Sequence, residues 1–303
     1  MLSGARILVT GPTGQVALPV TRALAADNEV IGIARFGDAD ARASLEEAGV
    51  TCIEANLADG NFTAVPTDVD YVLNLAVVKS GRWNVDLAAN ADATGLLMAH
   101  CRNAKAWLQC SSTGVYEPAG QHPLKETDPL GDNHRVIMET YSISKIAAET
   151  VARLGTRQWE LPVTIARLNV PYGDNGGWPA FHLAMIDAGQ PVPIHPDRPN
   201  TFNPIHEDDI IRMIPRLLEI ASVPATTVNW GGSETASIED WCALIGEALS
   251  RDVSFVETEQ TIGSVVIDPT KMHELVGRTE VDWRDGMRRM IEAVRSGSPS
   301  ANR

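Results

Sequence analysis

The regular alternation of short apolar runs with helical patterns is the feature that most constrains the fold of this chain. Over the first 170 residues, strands are predicted by the runs ARILVT, NEVIGIAR, TCIEANL, DYVLNLAV, AWLQCSS and PVTIARLNV. Between them, apolar residues at helical spacing predict helices over 15–26, 40–47, 86–103 and 141–157. The strands are continuously apolar, which indicates a sheet covered on both faces. The sequence therefore predicts an α/β fold with a doubly wound parallel sheet.

The pattern changes after Tyr172, and this change suggests a second lobe. Proline, glycine, asparagine and aromatic residues crowd the runs DNGGWPAFH and PVPIHPDRPNTFNP, which we expect to form loops. A strand (TTVNWGG) and helices over 237–250 and 283–295 follow. We therefore expect a core over 1–172, a smaller lobe over 173–295 with some segments returning to the core, and a disordered tail over 296–303.

Charge and cysteine usage exclude several classes of function. The net charge of −14 repels nucleic acid and anionic membranes. The four cysteines form no C-x-x-C pair, as expected for reduced core residues of a cytoplasmic protein. The N-terminal sequence predicts no signal peptide, and no apolar run is long enough to span a membrane. We therefore expect a cytoplasmic protein whose partner is a small molecule.

The first turn from strand to helix has the sequence TGPTGQVA, over residues 10–17. Gly11 and Gly14 allow a tight turn and a close approach of the backbone to a pyrophosphate. The third small position, Ala17, permits packing of the helix on the strand. The following helix N-terminus offers free N–H groups and the positive end of its dipole. This turn predicts a Rossmann-type dinucleotide site.

The end of the second strand bears on the choice of cofactor. NAD-binding versions of the fold carry an acidic residue there, which holds the ribose hydroxyls. This chain has Ala34 followed by Arg35. A guanidinium at this place can pair with a 2′-phosphate, which favours NADP while leaving NAD possible; the alternative is a solvated surface arginine.

The run YSISK places Tyr141 and Lys145 four residues apart, on one face of a helix. A nearby ammonium favours the phenolate, so we expect a lowered pKa for Tyr141. The run SST (residues 111–113) ends the fifth strand, where a sheet presents residues to its ligand crevice. A hydroxyl there can hold a substrate oxygen beside the tyrosine.

These segments together resemble the extended short-chain dehydrogenases/reductases, the family of NAD-dependent epimerases and dehydratases. The resemblance covers about residues 5–295, and its marks are TGPTGQVA, Asn56-Leu57, LNLAVVK, Asn90, SSTGVY, YSISK, RLNVPYG and IHEDD. It implies an enzyme, with Ser112 and Tyr141 acting on the substrate oxygen and Lys145 as the partner of the tyrosine. It also implies a homodimer formed through the helices near Asn90 and Tyr141.

The resemblance further implies which residues contact the cofactor. They are Gly11, Thr13, Gly14, Gln15, Val16, Arg35, Asn56, Leu57, Leu75, Ala76, Val77, Lys79, Asn90, Tyr141, Lys145, Leu168 and Asn169. Asn56 stands where the family often has aspartate, and its side-chain oxygen can still serve the adenine amine. Asn90 matches a residue that is either structural or on the cofactor side.

Departures from the family pattern bear on the substrate. Dehydratases carry an acidic pair after the catalytic hydroxyl, whereas this chain has Thr113 and Gly114, which argues against dehydration. The asparagine and arginine that contact the diphosphate of nucleotide sugars fall on Val170 and Phe202. Neither side chain can bind a diphosphate, and both make the expected pocket more apolar. Asn169 or Arg198 could substitute for them.

We expect a substrate pocket lined by Trp83, Thr113, Val170, Trp178 and Phe202, with Trp230 as a further candidate. The alternative is that these aromatic residues are ordinary packing residues. No metal site is expected, because the cluster at 206–209 is interpreted as a structural element near a helix start.

The resulting hypothesis is an NADP(H)-dependent oxidoreductase that interconverts a ketone or aldehyde and an alcohol. Its substrate would be small to medium in size and partly apolar. One alternative is a nucleotide-sugar epimerase or reductase. Another is a non-catalytic, cofactor-binding regulatory protein, against which the intact Ser-Tyr-Lys set argues.

Overall fold

The computed structural model describes residues 2–296. Its strands are β1 (Arg6–Thr10), β2 (Glu29–Ala34), β3 (Thr51–Glu54), β4 (Tyr71–Asn74), β5 (Ala106–Ser112), β6 (Val163–Leu168), β7 (Pro171–Gly173), β8 (Gly176–Gly177), β9 (Val192–Ile194), β10 (Thr201–Phe202), β11 (Ile205–His206), β12 (Thr226–Trp230), β13 (Ala236–Ser237) and β14 (Phe255–Glu257). Its α-helices are α1 (Ala17–Ala25), α2 (Ala39–Glu47), α3 (Trp83–Leu87), α4 (Ala93–His100), α5 (Tyr141–Trp159), α6 (Trp178–Asp187), α7 (Glu207–Glu219), α8 (Ile238–Leu249), α9 (Thr270–Leu275) and α10 (Trp283–Arg295).

Seven strands form one sheet in the order β3-β2-β1-β4-β5-β6-β12. Strand β1 pairs in parallel with β2 and β4, and the pairs β2·β3 and β4·β5 are also parallel. Every residue of β5 and β6 is buried, as expected for strands of a sheet that is covered on both faces. This topology confirms the predicted α/β fold with a doubly wound, Rossmann-type sheet.

The chain divides into two compact units. Unit 1 comprises residues 2–112, 140–167 and 211–228, and it holds almost all of the sheet. Its core packs apolar residues of the sheet, including Leu8, Val72 and Trp107, against Leu97 and Met98 of α4. Polar side chains also join the strand ends, because the Thr10 hydroxyl donates to Asn74 over 2.7 Å.

Unit 2 comprises residues 113–139, 168–210 and 229–296. It contains three small sheets, in which β10 pairs with β13, β7 pairs with both β11 and β8, and β14 pairs with β9. Helix α8 packs on α6 and α10, and Trp241 and Met287 are fully buried in this unit. The division differs from the predicted boundary at 172, because residues 113–139 belong to unit 2 and residues 211–228 belong to unit 1.

Residues 178–187 correct the expectation of a loop. They form α6, with Pro179 near its start and Gly177 before it at a φ of 116°. Proline is tolerated in the first helical turn, where its missing N–H has no partner to lose, so the Gly-Pro signal marks a helix start here. The predicted tail lies, apart from residue 296, outside the described residues. Within residues 2–296, no helix has the length and apolarity that crossing a bilayer requires.

Candidate active site

The glycine turn lies between β1 and α1 in unit 1. Gly11 has a φ of 62°, a conformation that favours glycine. A Cβ atom at Gly11 would come within 3.0 Å of Ala76, so the turn also needs a residue without a side chain there. Thr13, Gly14, Gln15 and Val16 follow before α1. Since Ala76 follows β4, the turn and the predicted cofactor residues Leu75, Ala76 and Val77 share one edge of the sheet.

The N-terminus of α1 suits a bound anion. Its N-cap residue, Val16, makes no side-chain capping bond, and its first turn contains no acidic residue. Val16 has no side-chain oxygen that could accept hydrogen bonds from the backbone N–H groups of that turn. No carboxylate in the first turn competes with a ligand for the positive end of the dipole. These features fit a dinucleotide pyrophosphate.

Arg35 and Asn56 lie in the loops that follow β2 and β3. Arg35 is exposed, and within residues 2–296 its guanidinium has no hydrogen-bond or salt-bridge partner. The Asn56 side chain accepts from the Ala58 backbone over 3.3 Å and donates to Asp59 over 3.0 Å. Leu57 packs against the core of unit 1. The guanidinium of Arg35 is therefore available to a ligand, whereas the side chain of Asn56 already makes hydrogen bonds within its own turn.

Asn90 fixes the loop that carries Lys79. Its side chain exchanges two hydrogen bonds of 2.8 Å with the backbone of Val78 and donates to the Ser144 hydroxyl over 3.1 Å. It lies in a π-helical turn, Ala88–Asp92, which joins α3 to α4. These contacts favour the structural alternative for Asn90. Lys79 is exposed, and its charge adds to the effect of burial in lowering the pKa of Lys145.

Ser112, Tyr141 and Lys145 come together in unit 1. Ser112 ends β5, Tyr141 is the first residue of α5, and a hydrogen bond joins their side chains. The Lys145 ammonium donates to the Cys110 carbonyl over 2.9 Å. Both hydroxyls and the ammonium therefore lie at the carboxyl end of β5, where parallel sheets bind their ligands.

The pKa expected for Tyr141 is wrong in direction. Burial raises the pKa of Tyr141 to about 12, and the hydrogen bond from Ser112 only partly opposes this shift. Burial also lowers the pKa of Lys145, because a buried ammonium loses its hydration. The sequence showed the spacing of the two residues but not the depth at which each would lie.

A buried ion pair lies one turn further along α5. Glu149 and Arg167 are joined by two hydrogen bonds of 2.9 Å. Glu149 also accepts from Ser111 over 2.6 Å and from Arg153 over 2.7 Å. Burial alone would raise the pKa of Glu149, but Arg167, with Ser111 and Arg153, holds it below its ordinary value. Sequence reasoning missed this pair, although a glutamate four residues after Lys145 was a readable signal.

Several predicted site residues of unit 2 are engaged in its interior. The Asn169 side chain donates to the Thr113 hydroxyl over 3.1 Å and accepts from the Asn203 backbone over 3.0 Å. The Thr113 hydroxyl is 3.4 Å from the Leu168 carbonyl. Val170 has a φ of 25°, a conformation that β-branched residues rarely adopt. Asn169 and Thr113 therefore stabilise unit 2 through their side chains, and Val170 carries backbone strain.

The aromatic candidates separate into two groups. Trp178 and Phe202 pack edge to face at 5.0 Å, in a cluster with His182 and Trp241. Phe202 and Trp230 are fully buried, so both are packing residues of the fold. Trp178 is partly exposed and Trp83 is 40% exposed, and these two remain candidates for contact with a ligand.

The His182 ring in that cluster is held neutral. It accepts a hydrogen bond from Trp241 over 2.9 Å, and burial lowers the pKa of His182 to about 4. Glu207, at the start of α7, accepts a hydrogen bond from the Asn175 backbone over 3.2 Å, but burial raises the pKa of Glu207 to about 7. Among residues 2–296, no group of three or more metal-binding side chains has the geometry of a metal site.

Comparison with known proteins agrees with this architecture. The chain is 25% identical to a dTDP-4-dehydro-6-deoxy-D-allose reductase from a Streptomyces species, with 94% of each chain covered. A UDP-glucuronic acid 4-epimerase from Bacillus cereus, solved with UDP-glucuronic acid and NAD, superposes with a TM-score of 0.83 at 20% identity, covering 96% of this chain and 99% of that one. A dTDP-glucose 4,6-dehydratase from Streptomyces venezuelae, solved with NAD, gives 0.83 at 22% identity, covering 97% and 98%.

The family model for NAD-dependent epimerases and dehydratases matches residues 7–231. This match spans the glycine turn, the Ser-Tyr-Lys set and β12, and it confirms the resemblance read from the sequence motifs. The protein is therefore an enzyme of the oxidoreductase type with an extended short-chain dehydrogenase/reductase fold, and it belongs to the NAD-dependent epimerase/dehydratase family.

Proposed function

We propose that this enzyme uses NADP(H) to interconvert a carbonyl group and an alcohol on a small to medium, partly apolar organic substrate. The observation that carries the proposal is the hydrogen bond between Ser112 and Tyr141 at the end of β5, with Lys145 one helical turn away. A carbonyl oxygen beside these hydroxyls would receive two hydrogen bonds. Such donors stabilise negative charge that develops on the oxygen during reduction.

In this proposal, Tyr141 transfers the proton to the substrate oxygen. With its pKa raised to about 12, this residue is protonated at neutral pH and can donate to the substrate oxygen. Ser112 supplies the second hydrogen bond, and the charge of Lys145 favours the phenolate that remains. The bound nicotinamide supplies or accepts the hydride. In the oxidative direction, Tyr141 would take the proton back.

Replacement of Tyr141 tests this assignment. We expect Tyr141→Phe to lower turnover about 10²–10⁴-fold, the usual contribution of general acid–base catalysis. Cofactor affinity should stay within about twofold, because the ring and its packing remain. The measurements are NADPH oxidation with a panel of apolar ketones and NADPH affinity by fluorescence. Near-normal turnover by the variant would refute the mechanism.

The preference for NADP rests on Arg35. This guanidinium is exposed, has no partner within residues 2–296, and follows Ala34 where an acidic residue would bind ribose hydroxyls. A hydrogen bond between charged groups contributes about 1.5–3 kcal/mol. Arg35→Ala should therefore weaken NADPH binding at least about tenfold and leave NADH binding unchanged. Equal losses for both cofactors would indicate that Arg35 does not recognise the phosphate.

A nucleotide-sugar epimerase or reductase is the second candidate. It is favoured by the family and by the reductase relative from Streptomyces, and opposed by Val170 and by the buried Phe202. Thermal shift with NADP(H), NAD(H), UDP-glucose, dTDP-glucose and GDP-mannose separates the two. A ligand at about 100 times its Kd should add about 2.7 kcal/mol of stability. A shift with any nucleotide sugar would make this candidate the leading one.

We also propose a homodimer formed through α4 and α5. Leu96 on α4 is 51% exposed, and Leu154 on α5 is 66% exposed. Ile143, in the first turn of α5, is a further exposed apolar residue. Exposed apolar side chains of this size on two packed helices favour burial against a partner. Light scattering should show a dimer that Leu154→Asp converts to a monomer, while Phe181→Asp, on the exposed side of α6, should not.

A further inference from the structure

Asp86 lies fully buried in α3, and its carboxylate gathers hydrogen bonds from two separate segments. On one side, the Ser80 hydroxyl donates over 2.6 Å, the Ser80 backbone donates to both oxygens over 3.0 Å, and the Gly81 backbone donates over 3.1 Å. On the other side, the Thr140 hydroxyl donates over 2.5 Å. Every one of these groups is a donor.

Hydrogen bonds alone compensate this charge. Within residues 2–296, the Asp86 carboxylate has no cationic partner. A buried carboxylate without such a partner is costly unless its donors are held in place. The carboxylate therefore fixes Ser80, Gly81 and Thr140 relative to one another, because movement of any donor would expose uncompensated charge.

The two clamped segments are the ones next to the proposed chemistry. Ser80 and Gly81 directly follow Lys79, and Thr140 directly precedes Tyr141. One helical turn after Asp86, Asn90 repeats the arrangement by bonding Val78 and Ser144. Residues four apart on a helix share one face, so the pairs Asp86–Thr140 and Asn90–Ser144 lie in series between the helices.

We propose that Asp86 is a positioning residue, which locks the Lys79 loop and the first turn of α5 into one rigid body. This inference rests on the proposed function for its significance, because it concerns the placement of Tyr141 and Lys79. Its structural content is independent of any substrate. Loosening the Thr140 end of the clamp should also loosen the Ser80 end, which is 60 positions earlier in the chain.

The test compares matched threonine variants of one region. Thr140→Val removes the hydroxyl that bonds Asp86 and keeps the β-branched shape, while Thr140→Ser keeps the hydroxyl. Thr150→Val is the control, because among the described residues the Thr150 hydroxyl bonds only the Ile146 carbonyl of its own helix, over 3.0 Å. Backbone hydrogen exchange is measured by mass spectrometry for the full chain, together with NADPH affinity by fluorescence.

For Thr140→Val we expect exchange to accelerate at least about tenfold in peptides covering both 78–82 and 140–145, the factor expected for one lost hydrogen bond to a charged group. NADPH affinity should fall, and Thr140→Ser and Thr150→Val should behave as the parent protein does. Acceleration confined to 140–145 would reduce Thr140 to a local helix-start role and overturn the proposal. Unchanged exchange in both segments would also overturn it.

Asp86→Asn provides a second variant. Its amide would present N–H groups to donors, so both segments should exchange faster even where the protein stays folded. Exchange and NADPH binding need no turnover. Full activity of Tyr141→Phe would refute the proposed function, whereas unchanged exchange in Thr140→Val would refute the role of Asp86. The two failures are therefore distinguishable.

Discussion

Two successive turns of α5 bury opposite charges in different ways. The Glu149 carboxylate is bonded by Arg167, Arg153 and Ser111, so its charge is compensated on every side. The Lys145 ammonium, one turn earlier, donates to a neutral backbone carbonyl. The first arrangement is an internal ion pair, whereas the second leaves the cation hydrogen-bonded to a neutral group, as the role proposed for Lys145 beside Tyr141 requires. The difference teaches that burial alone does not identify a functional charge; the partners of that charge do.

Removing one member of the compensated pair should have the largest effect on stability. Glu149→Gln leaves Arg167 buried and unpaired, so we expect a loss of about 3–5 kcal/mol in the free energy of unfolding. Chemical denaturation measures this loss. Arg153→Ala is the control, because this partner is 39% exposed and should contribute less than about 1 kcal/mol. Equal losses in the two variants would break the comparison.

Glu207 sharpens the comparison, because it is a buried glutamate whose charged neighbours include Asp174 and Asp208. Its pKa is raised to about 7 by burial, so the folded protein binds a proton that the unfolded chain releases near pH 4.5. This stabilisation is present below pH 4.5 and is lost as the pH rises to about 7. Glu207→Gln should therefore raise stability at pH 8 by up to about 3 kcal/mol and have little effect at pH 4. Thermal unfolding at the two pH values checks the difference, which an equal gain at both would contradict.

Lys145→Met extends the comparison to the cation whose hydrogen-bond partner is neutral. Burial lowers the pKa of Lys145, so its charge costs stability below the folded pKa, and that cost declines as the pH rises toward 10.5. The variant should be more stable than the parent at pH 7, by about 1–2 kcal/mol, and the gain should shrink at pH 10. Turnover should be lost at both. A destabilised variant at pH 7 would mean that Lys145 is a structural residue like Glu149.

Backbone strain at Val170 is the smallest of these effects. Its φ of 25° is tolerated far better by asparagine than by a β-branched residue, and such strain costs of order 1–3 kcal/mol. After allowance for lost packing, Val170→Asn should raise the free energy of unfolding by about 1 kcal/mol. Val170→Ala, which keeps a Cβ atom without an amide, should not. The same variant tests whether a diphosphate contact appears, through a thermal shift with dTDP-glucose.

The sequence predicted unit 1 well, because each of its elements is indicated by residues that are close together in the sequence. Continuously apolar strands, the glycine turn and the Tyr-Lys spacing are properties of a few neighbouring residues, and the sheet order and the family match agree with them. Helix α6 was missed because proline and glycine mark both loops and helix starts. The seventh strand, β12, was predicted as a strand, but its pairing with β6 depends on residues far away in the sequence.

The candidate site was predictable only in part, for a related reason. Ser112, Tyr141 and Lys145 lie together because regular elements place them, whereas Phe202 and Asn169 owe their positions to packing inside unit 2. The pKa of Tyr141 depends on burial, which spacing does not reveal. Asp86 gave a faint signal, as a polar residue that three apolar residues separate from Asn90. Only its contacts with Ser80 and Thr140 show what it does.

The partner of Lys145 is a main-chain oxygen, and this has a consequence for engineering. Every residue type offers the same carbonyl, so no substitution at position 110 can delete the acceptor. What holds the lysine is the path of β5, which the whole sheet maintains. Position 110 is therefore a place where the chain can change its side chain without changing its chemistry. A Cys110→Ala variant would give a protein with one thiol fewer and its lysine still in place.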